Sequence, residues 1–364
     1  MRITGLRLRD FRSYAAADAP LGAGVTVVAG RNGAGKTNLL EAIHLACTGQ
    51  SFRSATEGEL VRFGADVARV DLEACAEDGP HTISVGLARG QRRRLQVDGA
   101  VVERVTDVPW RPLAAVFLPD RLELVKGGPS LRRAHVDQLV AALWPARVAT
   151  RRGYAQALAQ RNALLARAGA DERSLDTWDA ELARHGLALM EDRRRAIETV
   201  APRFAELTAG LGLDGDASVA YRPRSAARTG ADLIAELGER RERDRERGFT
   251  AHGPHRDDLA IRRLGRELRT FGSQGEQRVA VLALLLAERA AIGEVRGTPP
   301  LMLLDDAMSE LDAGRRERLM AMLEDSGQSV ITATELAQVP GAQHAGVARL
   351  AVADGVVLSA AEAA

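Results

Sequence analysis

Eight consecutive residues, Gly30-Arg31-Asn32-Gly33-Ala34-Gly35-Lys36-Thr37, fit G-x-x-x-x-G-K-[ST] and carry the chemistry to hold a nucleoside triphosphate. Glycines free the backbone to turn its N–H groups toward the β- and γ-phosphates, at a helix N-terminus that already favours anions. Lys36 adds a point charge, and the Thr37 hydroxyl is placed to ligate Mg²⁺. A second reactive element is Leu301-Met302-Leu303-Leu304-Asp305-Asp306, an apolar run ending on two acids. This is the Walker B arrangement: Asp305 is assigned to the metal's shell and Asp306 to orienting the attacking water. An Asp in that second place reaches less far than a Glu, which predicts slow turnover. Such a site needs a strand in front of the glycines and a helix behind them. Val25-Thr26-Val27-Val28-Ala29 supplies the β-branched run, and Leu39, Leu40, Ile43 and Leu45 recur at helical spacing.

The 364 residues suffice for one sizeable domain plus a lobe or insertion. A formal charge of +1 gives no global field toward nucleic acid or membrane, so any DNA contact must come from a local patch. Arginine is abundant, whereas Lys36 and Lys126 are the only lysines, so the second lysine draws notice as well as the first. Arginine runs carry little weight against this habit. Cys47 and Cys75 have no metal or disulfide spacing, which fits a reducing cytosol. The chain opens on an alternating strand, 3–8, rather than a signal peptide, and its longest apolar run, 279–287, is too short to span a bilayer. A soluble cytoplasmic protein with no membrane partner is expected.

The pattern predicts an α/β fold: a P-loop ATPase head with a β-rich N-terminal region and a short helical second lobe. The expected division is 1–125 for the first half of the head, 126–247 for the helical insertion and 248–364 for the second half. Antiparallel strands are expected at 67–74, 82–87 and 95–97, turned by Asp78-Gly79 and Asp98-Gly99, with another strand at 114–118. Helices are expected at 131–143, 154–167, 175–200 and 232–243, broken by Pro145, Gly153, 168–170 and 210–215. The last third reads as strands at 259–261, 301–304 and 330–332, with helices at 274–291 and 315–323, which implies a largely parallel sheet.

Phe271-Gly272-Ser273-Gln274-Gly275-Glu276-Gln277-Arg278 resembles the signature of ATP-binding-cassette enzymes, and Ser309-Glu310-Leu311-Asp312 follows like their D-loop. Ser273 and the N–H groups after it can cap a helix and grip a γ-phosphate. In cassette ATPases the signature of one subunit closes on the nucleotide of another. The resemblance therefore implies an ATP-dependent homodimer in which Ser273, Gln274 and Gly275 contact nucleotide in trans. The 235 residues between Thr37 and Ser273 exceed what a transporter ATPase has there.

From end to end the chain resembles the RecF family, within the SMC-like ATPases. The resemblance rests on the start Leu6-Arg7-Leu8-Arg9-Asp10-Phe11-Arg12 and on residues 30–37, 48–53, 125–129, 160–162 and 250–258, with the signature and Walker B. It implies an ATPase head with Mg²⁺-dependent ATP binding and slow, DNA-stimulated hydrolysis. It implies binding to double-stranded DNA and to single-strand/double-strand junctions at gaps. It implies cooperation with RecR and RecO to load RecA in recombinational repair, replication-fork maintenance and the SOS response. By analogy with related heads, Arg12 and Asn32 also touch nucleotide phosphates. The Q-loop glutamine of the wider class has Gln50 as a candidate, with Asp120 at the relevant strand end, and no histidine follows the strand at 330–334. Arg92-Arg93-Arg94 and Arg132-Arg133 are candidate phosphate contacts, so salt should weaken DNA binding. A transporter energy subunit or an ATP-gated nuclease head are the alternatives. The first lacks its switch histidine, and the second would need an added acidic metal-binding domain.

Overall fold

Alternating apolar residues make β1 (Arg2–Phe11), with Ile3, Leu6, Leu8 and Phe11 buried. There follow β2 (Tyr14–Pro20), β3 (Val25–Ala29), α1 (Lys36–Thr48), β4 (Val67–Ala76), β5 (Gly79–Ala88), β6 (Arg94–Val97), β7 (Ala100–Val102) and β8 (Ala114–Phe117). Next come α2 (Glu123–Lys126), α3 (Pro129–Leu143), α4 (Val148–Leu165), α5 (Glu172–Gly210), β9 (Ala217–Arg222), α6 (Gly230–Glu239) and α7 (Arg241–Arg247). Then β10 (Asp258–Arg263), β11 (Arg266–Glu267), α8 (Leu268–Phe271) and α9 (Gln274–Arg296). The chain returns through β12 (Leu301–Leu304), α10 (Ala313–Glu324), β13 (Ser329–Ala333), β14 (Ala348–Ala353) and β15 (Val356–Ser359). The computed structural model describes residues 1–53, 56–108, 110–118, 122–167 and 171–359. The break at 168–170 and the strand-end residue Asp120 therefore lie outside the described residues.

Two compact units result, Met1–Asp120 with Ile292–Ala364, and Arg121–Ala291. The second is wider than the expected insertion, 126–247, because residues 248–291 pack with the helices rather than with the head.

In the first unit an antiparallel sheet runs β2-β1-β4-β5-β6-β7, and a second sheet runs β15-β14-β3-β13-β12-β8. The second is parallel except for β15, which pairs antiparallel with β14. α1 packs against strands of both sheets, and Leu39, Leu40, Ala42, Ile43, Leu45, Ala46 and Cys47 are all fully buried. A helix apolar all round belongs inside, and each buried Leu or Ile contributes about 1.5–3 kcal/mol of transfer energy. The Asp98-Gly99 turn has φ of 49° and 82°, the twisted two-residue hairpin loop that its sequence announces. Gln328 joins the two sheets: its side chain accepts from Ile3 N at 2.9 Å and donates to Ile3 O at 2.6 Å and Gly22 O at 2.7 Å.

The second unit departs most from expectation. β9 is a strand inside what reads as a helical stretch, and it pairs with β10 in a three-stranded antiparallel sheet, β11-β10-β9. α4 runs through Gly153, because that glycine is where α4 meets α5: a Cβ there would collide with the His185 ring. α5 continues past Pro202 to Gly210, held by the buried side chains Ile197, Val200 and Phe204. The expected single helix at 232–243 is two, split at Arg240.

Buried ion pairs explain two of the stretches on which the family resemblance rests, 160–162 and 250–258. Arg161 is fully buried and donates to Asp179 at 2.5 Å, Asp244 at 2.8 Å and Thr250 Oγ1 at 2.8 Å. Asn162 Oδ1 accepts from Thr250 N at 2.8 Å. Arg193 reaches Asp137 at 2.8 Å and Asp257 at 3.2 Å, and Asp257 also accepts from Tyr221 and from Arg224 N. His255 stacks on Tyr154, bonds its hydroxyl at 2.8 Å and donates to Thr250 O at 2.9 Å. His252 pairs with Glu236. Residues 160–162 and 250–258 thus lock one another, a structural role.

Candidate nucleotide site

β3 is buried along Val25, Thr26, Val27 and Val28 and delivers Gly30 to the C-terminal edge of the parallel sheet. There the chain turns through Gly33 (φ 82°) and Gly35 (φ 119°), conformations that only glycine adopts cheaply, and enters α1 at Lys36. Buried Tyr14 supports the turn from beneath, its hydroxyl donating to Gly35 O at 2.9 Å. Burial pushes this phenol's pKa well up, so it stays a donor.

Lys36 folds back into the loop, Nζ donating to Gly30 O at 2.6 Å and Arg31 O at 3.0 Å. Partial burial lowers its pKa, while Asp306 and Asp305 work the other way. Arg31, Asn32 and Gly33 stand exposed at the rim, and Ala34 is buried beneath it.

The acids arrive on β12, beside β8 and β13. Asp305 Oδ2 accepts from Thr37 Oγ1 at 2.8 Å, across 268 positions of sequence. Asp305 Oδ1 accepts from Thr332 Oγ1 at 2.7 Å, and the same hydroxyl accepts from Asp306 N at 2.8 Å. Asp306 sits at φ 48°, a strained conformation for this residue, and its Oδ1 is buried without a hydrogen-bond partner. Lys36, Thr37, Asp305 and Asp306 therefore converge. Thr332 was missed by sequence reasoning, which sought a histidine after β13. A threonine within an otherwise apolar strand was the available signal.

Arg12 reaches the site indirectly. It has φ 53°, and its guanidinium is clamped by Glu41 at 2.9 and 2.8 Å and by Glu59 O at 2.9 Å. Glu41 lies on α1 with its side chain fully buried, a carboxylate in an apolar helix that sequence reasoning also passed over. Arg12 thus latches the β1–β2 turn to the helix behind the loop. Gln50 is exposed, its carbonyl bonded to His44.

The signature lies on the second unit. Ser273 Oγ accepts from Glu276 N at 3.3 Å while Glu276 Oε2 accepts from Ser273 N at 2.7 Å, a reciprocal capping box that starts α9. Gln274 is exposed, and a Cβ on Gly275 would meet nothing within 4 Å.

Several arginines offered as phosphate contacts are instead internal. Arg132 is buried and binds Asp258 at 2.6 Å and Gly127 O at 2.6 Å, and Arg133 donates to Asp257 O at 2.9 Å. Arg93 bonds Gly49 O and pairs with Glu57, leaving Arg92 and Arg94 exposed on that turn. Lys126 is exposed at the end of α2. Among the described residues no group of three or more His, Cys, Asp or Glu could hold a metal by itself, and no helix is long and apolar enough to cross a membrane.

The family described as RecF/RecN/SMC N terminal domain matches residues 2–349. The DNA replication and repair protein RecF of Anaeromyxobacter sp. (strain Fw109-5) is 40% identical over 348 residues, 92% of this chain and 93% of that one. Its namesake in Myxococcus xanthus (strain DK1622) is 39% identical over 355 residues, 94% of this chain and 93% of the other. Among solved structures, the recombination mediator RecF with ATP, of the RecFOR pathway, superposes with a TM-score of 0.86 at 27% identity, covering 98% and 97% of the two chains. An Smc head bound to the C-winged helix domain of ScpA, 18% identical, shares the fold with a TM-score of 0.61 over 100% and 99% of the two chains. With an ATPase-head architecture, a glycine loop facing a paired-acid strand, and such likeness along its whole length, the chain belongs to the RecF/RecN/SMC family and, within it, to the RecF proteins.

Proposed function

We propose that the chain is an ATP-dependent DNA-binding protein of recombinational repair, active in the cytoplasm, whose slow ATP hydrolysis drives release from DNA. The observation that carries this reading is the Thr37–Asp305 hydrogen bond of 2.8 Å, which closes the glycine loop onto the paired-acid strand. The donor set suits Mg-ATP. Gly30, Arg31, Asn32, Gly33, Ala34 and Gly35 form the phosphate loop: the Gly30 and Ala34 N–H groups donate to Ala333 O and Arg31 O and hold its shape, the other N–H groups serve the phosphates, and Lys36 can exchange its two carbonyl partners for phosphate oxygens. Thr37 and Asp305 would hold Mg²⁺, which when bound neutralises phosphate charge. Asp306, with its unsatisfied carboxylate oxygen, is oriented to accept a hydrogen bond from water. Arg12 approaches the phosphates from its Glu41 clamp.

The open space over Gly275 supports a role in trans, since nothing within the chain requires a glycine there. In this reading two copies associate when ATP is bound, Ser273, Gln274 and Gly275 of one covering the loop of the other. DNA, double-stranded or at a single-strand/double-strand junction, then lies on the dimer, and RecR and RecO act with it to load RecA. ATPase rate and light-scattering mass, measured with and without gapped DNA, test the proposal. An ATP-dependent doubling of mass and DNA-stimulated hydrolysis are expected. A monomer at every concentration of a non-hydrolysable analogue would overturn it.

A further inference from the structure

The first unit carries a second polar cavity, at the opposite edge of the parallel sheet from the glycine loop. Its walls include the segments that precede β8, β12 and β13, whereas Asp305 follows the C-terminal end of β12. Four strand residues, about 13 Å, separate these two edges. The cavity measures about 820 Å³, within the range of small-ligand sites.

Its polar lining is rich in arginine. Arg2, Arg111 and Arg296 face it together with Trp110, against the two acids Glu77 and Asp78. Asp78 is already committed: with Asp98 it grips His81, each at 2.9 Å, and these bonds raise the imidazole's pKa. The His81 ring stacks on Trp110 at 4.1 Å with an interplanar angle of 26°, so the indole is held as a fixed wall. Arg111 is half-buried, and its side chain makes no hydrogen bond or ion pair with a described residue. Desolvation and then the neighbouring Arg296 lower its pKa, while Cys47 and Asp107 work the other way. The Arg296 charge reaches Arg111, and guanidinium groups that line one cavity favour an anion within it. A rigid aromatic beside converging guanidinium groups is the combination that binds unpaired nucleotides, by stacking and by phosphate contact.

We propose that this cavity binds a nucleotide unit, its base against Trp110 and its phosphate between Arg111 and Arg296. The unit can come from a free nucleotide or from single-stranded DNA, and the two sources separate by experiment. With the glycine loop saturated by a non-hydrolysable ATP analogue, intrinsic fluorescence is titrated with deoxyadenosine monophosphate and, separately, with a five-nucleotide single-stranded oligomer. Trp144 and Trp178 also emit, so the signal is the change that Trp110→Phe abolishes.

A saturable quench is expected, with the half-saturation raised at least tenfold in Arg111→Gln/Arg296→Gln while ATP affinity and basal ATPase rate stay unchanged. An oligomer binding more than tenfold tighter than the mononucleotide assigns the site to single-stranded DNA; equal affinities assign it to a free nucleotide. No quench with either ligand, or a quench unaltered in the double variant, overturns the proposal. Photocrosslinking of a 5-iododeoxyuridine oligomer to the unmodified protein needs no variant and should label the peptide carrying Trp110; labelling elsewhere alone also overturns it. DNA stimulation of the ATPase is scored in the same samples, so failure here is distinguishable from failure of the repair-ATPase reading.

Discussion

Thr332→Val is the sharpest test of how the catalytic acids are held. The threonine is fully buried on β13 and its hydroxyl serves both acids, donating to Asp305 at 2.7 Å and accepting from Asp306 N at 2.8 Å. Valine keeps the shape and removes both bonds. A neutral buried hydrogen bond is worth about 0.5–1.5 kcal/mol and one to a charged group about 1.5–3 kcal/mol, so roughly 2–4 kcal/mol of local order is lost. If half of that loss is felt in the transition state, kcat falls about fivefold to thirtyfold. Asp305 also loses the bond that aims its other oxygen at Thr37, so the Mg²⁺ concentration for half-maximal activity should rise. ATP affinity in the absence of metal should stay within about twofold, because the glycine loop is untouched. Thr332→Ser restores the hydroxyl and should recover most of the rate, which a purely structural lesion would not predict. A Thr332→Val protein with unchanged kcat and unchanged Mg²⁺ dependence would refute the reasoning.

Lys36→Met should abolish binding of a fluorescent ATP analogue; retained affinity would remove the lysine from the phosphate site. Asp306→Asn should slow hydrolysis at least a hundredfold and leave a long-lived ATP-bound dimer on DNA, while a normal rate would place the water-orienting group elsewhere. Ser273→Arg should keep monomeric ATP binding and block the light-scattering dimer; Ser273→Asn, which preserves the helix cap, controls for the roughly 1 kcal/mol that the cap is worth. Burial drives the His255 pKa down to about 4, so between pH 6.5 and 4 the unfolded chain takes up a proton that the folded chain refuses. Stability should fall across that window as the solution is acidified, by a ceiling of about 3 kcal/mol, and His255→Gln should flatten the urea-midpoint profile relative to the parent protein.

The head was legible because its chemistry is local. A glycine loop between a β-branched strand and an apolar helix, and an apolar strand ending in Asp305-Asp306, each announce themselves within eight residues. The α9 start was equally local, written in Ser273 and Glu276. What stayed hidden depends on tertiary partners. Thr332 is one threonine on a buried strand until the fold sets it beside Asp305. β9 falls within a stretch that reads as helical, and β10 makes it a strand. Gly153 looks like a helix breaker alone and is a packing contact once His185 stands opposite. Arg132 and Arg161 look like solvated charges in so arginine-rich a chain, yet Asp258 holds the first and buried Asp179 the second.

The central placement of β3 has a bearing on synthesis. Both strands that flank it, β13 and β14, come from the far end of the chain, beginning at Ser329, some 300 residues after Ala29. At elongation rates of about 5–20 residues per second, the nascent strand waits roughly 15–60 s with bare edges on both sides. Until the segment carrying β13 and β14 leaves the ribosome, the growing chain has a sticky, incomplete sheet and no way to close it. A premature stop anywhere before that point should yield a product that clumps or is degraded rather than a partly working enzyme.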